Sequence, residues 1–237
     1  MIARPLSSRL IAPSDWTDNG FGLVGHRALN DAWQLDWEAY VIAGLGGEPG
    51  GPGLRSLRQG FGADNNQNKA LVTHLALRQG DTLSVGLGLY QGAFDDRGDL
   101  DLRGAGLDFI WYPAPWKLSG EFLQMRADRI DRSSATLYGG YLRAGYDLDT
   151  LLPPGWAGRS LSGSQAGAGL RVRLPQRGGS GRCAQPGAAG RKHVLGLRWQ
   201  PDHSWILKLN REWSQANAGR LVNGDDDLWL LGIGFVF

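Results

Sequence analysis

Large apolar residues alternate with small or polar ones through most of this chain, and two stretches make the pattern clearest. In 33–41 one set of alternate positions is apolar and the other is mostly polar, which is the period of a strand with one apolar face. The last ten residues repeat this pattern. Their alternate large apolar positions are Trp229, Leu231, Ile233, Phe235 and Phe237. Such strands need an apolar medium on one side, which is either a lipid bilayer or the core of a soluble β-sandwich.

The same alternation recurs along the chain and predicts the fold class. It predicts further strands at 21–28, 69–78, 82–91, 104–112, 117–126, 136–148, 193–200 and 204–214. Short connections at 30–31, 80–81, 113–115 and 201–203 separate longer ones at 44–68, 92–101 and 215–227. Transmembrane barrels alternate short periplasmic turns with longer extracellular loops. If one more strand lies between 148 and 191, every short turn falls on the side of the C-terminus. We therefore predict an all-β fold, an antiparallel transmembrane β-barrel.

Composition narrows the class of protein further. The 37 glycines and 10 tryptophans suit strands and turns, and the chain has no apolar run long enough for a transmembrane helix. A net charge of +2, without basic runs interleaved with aromatics, predicts no nucleic-acid partner. Cys183 is the single cysteine, so no intramolecular disulfide can form.

The domain organisation contains two irregular features. We expect residues 1–237 to form a single β-barrel domain. The start of the chain lacks the features of a secretory signal, and about eleven strands is an odd number, whereas bacterial single-chain barrels close with an even one. Both observations predict a truncated, carboxy-terminal part of a larger barrel. Residues 150–191 are rich in Gly and Arg and contain no acidic residue, which leaves two interpretations: a basic extracellular loop or constriction element that attracts anions, or a reading-frame error.

Several short stretches resemble one known family. They are 17–23 (TDNGFGL), 35–41 (LDWEAYV), 64–70 (DNNQNKA), 90–96 (YQGAFDD), 118–122 (LSGEF) and the closing Phe237. Together they resemble the carboxy-terminal half of bacterial outer-membrane porins related to the phosphate-selective porin O and P family. The resemblance covers 16–124 and 193–237 and fails across 155–190.

The resemblance implies both a location and a function. It implies a channel in the outer membrane of a Gram-negative bacterium, surrounded by membrane lipid and commonly a homotrimer. The closing strand, with Trp229, Leu231, Ile233, Phe235 and Phe237, would be the signal for the barrel-assembly machinery. We expect passive diffusion of small hydrophilic solutes or ions. Two alternatives remain: a non-transporting structural or adhesive barrel, and a soluble β-sandwich that binds a ligand. Phosphate specificity does not carry over, because the chain has no matching ladder of basic residues.

Charged residues in the polar sets are the candidate pore lining, because the inner wall of a barrel faces water. Positive and negative charges nearly balance, so we predict a general passive pore. The predicted pore-lining residues are Asp36, Glu38, Arg78, Asp108, Lys117, Glu121, Arg143, Arg198, Lys208 and Glu212.

Other chemistry has weaker support in the sequence. The acidic runs 95–101 and 225–227 offer oxygen ligands for calcium, but neither has a complete cation-loop spacing, so no metal site is predicted. His74 and Ser84 could face a common lumen, as in barrel hydrolases. No local motif supplies the base and orienting group that such a nucleophile needs. We therefore predict a protein that is not an enzyme and has no cofactor.

Overall fold

The computed structural model describes residues 17–46, 54, 57, 68–95, 97–128, 134–147, 161–163, 170–173, 189–200, 204–217 and 227–235. These residues form antiparallel strands and no α-helix, which confirms the predicted all-β class. The strands are β1 (Gly20–Ala28), β2 (Trp33–Ile42), β3 (Ala70–Gln79), β4 (Leu83–Ala93), β5 (Asp101–Trp111), β6 (Trp116–Asp128), β7 (Ser134–Asp147), β8 (Leu161–Gly163), β9 (Leu170–Arg173), β10 (Ala189–Trp199), β11 (Trp205–Asn217) and β12 (Asp227–Phe235).

All of the strands belong to one sheet, and neighbours in the sequence are neighbours in the sheet from β1 to β7 and from β10 to β12. The short strands β8 and β9 both lie between β7 and β10. They share one register: Tyr146 pairs with Gly163, and Thr136, ten residues earlier, pairs with Arg173, ten residues later. β8 and β9 therefore act as two pieces of a single strand. This is the additional strand that the alternation of turns and loops required.

The two faces of the sheet differ in chemistry and in exposure. One face, here called the apolar face, carries large hydrophobic side chains that are open to the surroundings, such as Leu107 (56% exposed), Phe122 (48%) and Leu231 (73%). The opposite face, here called the polar face, carries the charged residues and includes buried polar side chains, such as Ser119 and Glu212. In a soluble protein the apolar face would be the covered one. Here the apolar face is the exposed one, and buried side chains lie on the polar face.

The connections distinguish the two ends of the strands. The end where β1 passes into β2, here called the turn end, also holds the connections 80–82 and 112–115. The opposite end, here called the loop end, holds the long 43–69 connection. β12 finishes at the turn end, because Phe235 pairs with Trp205, the first residue of β11. The connection 148–160 is the exception, since it is long and lies at the turn end.

Aromatic side chains mark the turn end of the apolar face. Trp116 packs edge-on against Tyr146, with ring centroids 4.8 Å apart, and Trp205 packs similarly against Phe235 at 4.9 Å. Trp33 and Trp111 occupy the same end on β2 and β5. An aromatic girdle of this kind is typical of the interface between membrane and water.

The first connection is longer than the two-residue turn predicted at Asn30 and Asp31. β1 ends at Ala28 and β2 begins at Trp33. The side-chain oxygen of Asn30 accepts hydrogen bonds from the backbone N–H groups of Ala32 and Trp33, both at 2.9 Å. Together with the bonds that the N–H groups of Leu29 and Asn30 donate to the Trp33 carbonyl, they close a four-residue connection.

The hydrophobic core lies on the polar face, close to the loop end. Leu45, Leu54 and Leu57, from the connection between β2 and β3, are almost completely buried there. They pack with residues of the β4–β5 region and of β6 and β7. Those partners are Phe94, Leu102, Met125, Ala127 and Leu137. The described residues of this connection therefore pack against the polar face.

The sheet is open between β1 and β12, since the pairings among the described strands do not join these two. Both strands run from the loop end to the turn end, because ten antiparallel steps separate them, with β8 and β9 counted as one strand. A search of the described residues finds no helix that is long and apolar enough to cross a membrane.

Candidate functional site

The ladder register brings the ten predicted pore-lining residues to one face of the sheet. Directly paired residues share a face and the face alternates along each strand, so the pairings fix the side of every residue. The residues on the polar face are Asp36, Glu38, Arg78, Asp108, Lys117, Glu121, Arg143, Arg198, Lys208 and Glu212. They extend from β2 to β11 and form a polar wall rather than a compact cluster.

His74 and Asp108 meet across an intervening strand. His74 lies on β3 and Asp108 on β5, and their side chains approach at 3.0 Å between Nε2 and Oδ2. Gly86 of β4 lies between them, and a Cβ atom there would overlap the Asp108 carboxylate. The absence of a side chain at this position therefore allows side chains from strands two apart to form a hydrogen bond. Sequence reasoning overlooked His74 as a partner of Asp108 because the two are 34 residues apart.

Acidic groups form a row beside this pair. Asp108 lies directly opposite Glu121 in the β5–β6 ladder, and Glu121 lies opposite Tyr141 in the β6–β7 ladder. On β2, Asp36 accepts a hydrogen bond from Gln34 at 2.5 Å and contacts Arg78 Nε at 2.8 Å. The carboxylates thus concentrate negative charge along one row, which Arg78 partly offsets.

Basic groups lie one ladder step closer to the turn end. Arg143 is opposite Ser119, and its guanidinium carbon lies 5.7 Å from the centre of the Tyr141 ring. Lys117 approaches Asp147 at 3.7 Å. A row of carboxylates beside a row of cations produces a field across the wall, and such a field orients dipolar and charged solutes.

A second group of charges lies on β10 and β11. Arg198 is directly opposite Lys208, so two cations are adjacent on the polar face. Glu212, which is almost fully buried, forms an ion pair with Lys192. Sequence analysis omitted Lys192 because its predicted strand began one residue later, at His193; the pairing of Lys192 with Ser214 extends the strand and adds this cation.

The hydrophobic core narrows the polar face near the loop end. The backbone N–H of Leu45 donates to the Tyr90 hydroxyl at 3.2 Å, and the N–H of Gly44 donates to Asp18 at 2.8 Å. Asn68 at the other end of the same connection donates to the Asp95 carbonyl at 2.9 Å. No periodic pattern predicts this packing, because the connection is rich in Gly and Pro.

The arrangement does not assemble the hydrolase considered from the sequence. His74 and Ser84 share the polar face, but Ser84 pairs with Arg78, four residues along β3 from His74. At about 3.4 Å per residue this is roughly 14 Å, too far for a base to activate a hydroxyl.

The acidic loop after β4 has a structural explanation. The Asp95 carboxylate accepts backbone N–H bonds from Leu100 at 2.8 Å, Asp99 at 3.2 Å and Arg97 at 3.3 Å. Asp96, Asp225 and Asp226 lie outside the described residues, as does Phe237 of the closing strand. Among the residues that are described, no group of three or more metal-ligating side chains is arranged to hold an ion.

An antiparallel all-β sheet with an exposed apolar face and a charged opposite face is typical of porins. Residues 89–168 match the family model described as phosphate-selective porin O and P. The predicted resemblance to that family is confirmed, but its predicted limits are not: the match continues beyond residue 124 and includes 155–168, where the resemblance was expected to fail. The match supports an outer-membrane porin channel in general, rather than an enzyme. No curated protein matches this chain.

Proposed function

We propose that this protein forms the wall of an outer-membrane channel through which small hydrophilic solutes and ions diffuse passively. The observation that carries the proposal is the reversed exposure of the sheet: hydrophobic side chains are exposed on one face, while the charged residues share the other. A lipid bilayer stabilises such an apolar face and water in a lumen stabilises the polar one. A soluble sandwich would cover the apolar face instead.

The ten charged residues of the polar face are proposed as pore lining. The set contains five cations and five carboxylates, and two further residues of the polar face, Lys192 and Asp147, add one charge of each sign. The name of the matched family refers to phosphate. A phosphate-selective wall would need an excess of cations, so the balanced face favours weak selectivity instead.

Orientation follows from the connections and from the closing strand. Short connections favour a periplasmic turn end and long ones an extracellular loop end. β12 finishes at the turn end with Trp229, Leu231, Ile233 and Phe235 exposed on the apolar face. We propose that these residues, with Phe237, are read by the barrel-assembly machinery in the periplasm, and that the folded chain resides in the outer membrane of a Gram-negative bacterium as a homotrimer.

We further propose that residues 1–237 belong to one barrel domain that is part of a larger barrel. β1 and β12 run in the same direction. An antiparallel closure between these edges therefore requires an odd number of further strands, and even-numbered barrels are the rule in bacterial chains. Within 150–191 a strand of the barrel wall is favoured over a frame error, because β8 and β9 keep a single register with β7 and β10.

The test is reconstitution of the full chain. We expect the protein to partition into detergent or lipid, to migrate differently on a gel before and after heating, and to give stepwise conductance in a planar bilayer. A chain that folds into a monodisperse soluble monomer without detergent would overturn the membrane assignment. A chain that folds in lipid and shows heat-modifiable migration, but does not conduct, would favour the structural or adhesive barrel.

A further inference from the structure

Two arginines lie directly opposite each other on the apolar face. Arg103 of β5 pairs with Arg126 of β6, and both side chains are exposed. Like charges directly opposite each other in a ladder are destabilising. Asp101 contacts Arg103 at 2.6 Å, whereas Arg126 has no ion pair with any residue in the described part of the chain. The pair therefore leaves one guanidinium without a counter-ion on a face that otherwise meets lipid.

The depth of this pair corresponds to a membrane interface. On β5, eight residue steps separate Arg103 from Trp111 in the aromatic girdle at the turn end, which is about 27 Å along a strand. At a strand tilt of roughly 40° this is about 21 Å along the membrane normal, compared with about 25 Å for the apolar band of a barrel. Long basic side chains extend their charged ends towards water. The two guanidinium groups thus reach the level of the lipid headgroups.

We propose that Arg103 and Arg126 bind the phosphate group of a lipid in the outer leaflet. Guanidinium groups match the geometry of phosphate oxygens in paired hydrogen bonds. A phosphate between the two side chains would relieve their mutual repulsion, and the lipid's acyl chains would lie on Leu107 and Phe122, the next large hydrophobic side chains of the apolar face. The proposal rests on the membrane orientation proposed above and does not require that the protein conducts.

A third arginine of this face, Arg211, has its guanidinium group paired within the protein. Arg211 of β11 makes two contacts with the Asp227 carboxylate, at 3.1 Å and 2.7 Å. Its guanidinium carbon also lies 5.9 Å and 5.6 Å from the ring centres of Trp213 and Trp229. Arg211 is therefore neutralised within the protein, whereas Arg126 has no such ion pair among the described residues, and the proposed lipid site near the loop end consists of Arg126 and its neighbour Arg103.

The experiment measures lipid retention by the full chain folded in detergent micelles. Native mass spectrometry would compare phosphorylated lipid A with the same lipid after its phosphates are removed. The variants are the double substitution Arg103→Gln with Arg126→Gln, the single Arg126→Lys, and Arg27→Gln as matched control. Arg27 also lies on the apolar face and is exposed, but near the turn end. Inorganic phosphate at millimolar concentration serves as competitor.

We expect wild type to retain phosphorylated lipid A about tenfold more strongly than the dephosphorylated form, as for loss of a charge-assisted pair. The double variant should lose this preference, Arg126→Lys should retain part of it, and Arg27→Gln should retain all of it. Equal retention of the two lipids by wild type would overturn the proposal, and this comparison needs no variant to fold. Displacement by inorganic phosphate, or an equal loss in Arg27→Gln, would overturn it as well.

Discussion

At the scale of single residues, Asp95 shows how one carboxylate organises a loop. It accepts three backbone N–H bonds within the connection from β4 to β5, and Gly98, at φ +78°, allows the chain to turn back. Partial burial would raise the pKa of Asp95, but the N–H groups of Leu100, Asp99 and Arg97 outweigh it and hold the pKa below its usual value. The loop is thus stabilised by the charged form of this side chain.

Replacing Asp95 with Ala should release the 94–100 loop. Hydrogen bonds to a charged group contribute about 1.5–3 kcal/mol, so we expect faster amide hydrogen exchange at Leu100 and faster proteolysis of the loop. Asp99→Asn is the matched control, because the Asp99 side chain accepts no hydrogen bond from the described residues. If both variants exchanged at the wild-type rate, Asp95 would not organise the loop.

The same carboxylate predicts a dependence on pH. Because the pKa of Asp95 is lower in the folded loop than in the unfolded chain, its stabilisation is complete above the unfolded pKa and is lost as the pH falls through the folded pKa. Acidification below about pH 4 should therefore reduce the protection of the Leu100 amide, measured against the intrinsic exchange rate at the same pH, in wild type and have a smaller effect in Asp95→Ala. An equal loss of protection in the two proteins would contradict this assignment.

Gly86 and Gly88 form a matched pair for testing the contact between His74 and Asp108. A Cβ at position 86 would overlap the Asp108 carboxylate, whereas one at position 88 would lie 3.8 Å from His74, an ordinary contact distance. Gly88→Ala should be neutral or slightly stabilising, since Ala is favoured over Gly in a strand. Gly86→Ala should fold but be about 1 kcal/mol less stable than Gly88→Ala because it separates the pair. Thermal unfolding followed by heat-modifiable gel migration would compare them.

At the scale of elements, the strands were predictable and the docking of the long connection was not. A period of two identified β2, β4 and β5 closely, because each has one uniformly apolar set of positions. The same period assigned all ten charged residues to one face. It failed for β8 and β9, which are short pieces in a stretch without alternation. It also gave no signal for Leu45, Leu54 and Leu57, whose burial depends on contacts distant in the sequence.

Leu57 tests whether that connection is held on the polar face. It is fully buried, and replacing a buried Leu with Ala costs about 2–5 kcal/mol. We expect Leu57→Ala to loosen the connection, which would raise single-channel conductance and increase cleavage within 43–69. Leu71→Ala is the control, because Leu71 is half-exposed on the apolar face. A Leu57→Ala channel with wild-type conductance and protease resistance would show that the connection does not narrow the pore.

At the scale of the whole molecule, the arrangement of charge determines what the channel should prefer. Carboxylates at Asp36, Asp108 and Glu121 lie in one row, and cations at Arg78 and Arg143 lie in the next. The electric fields of adjacent rows with opposite sign largely cancel, and physiological salt screens the remaining field beyond about 8 Å. The channel should therefore discriminate weakly between anions and cations, although each row on its own would select strongly.

Neutralising one row of charges should make the channel select ions according to the charge of the other row. In a tenfold potassium chloride gradient, wild type should give a reversal potential close to zero, well inside the limit of about 59 mV for a perfectly selective monovalent channel. Asp108→Asn with Glu121→Gln should shift the potential towards anion selectivity, and Arg78→Gln with Arg143→Gln should shift it towards cation selectivity. Arg27→Gln, on the apolar face, should leave it unchanged because that side chain faces lipid. A wild-type channel with strong anion selectivity would instead require additional cations in the lumen, whereas equal shifts in all three variants would mean that the polar face does not line the conducting path.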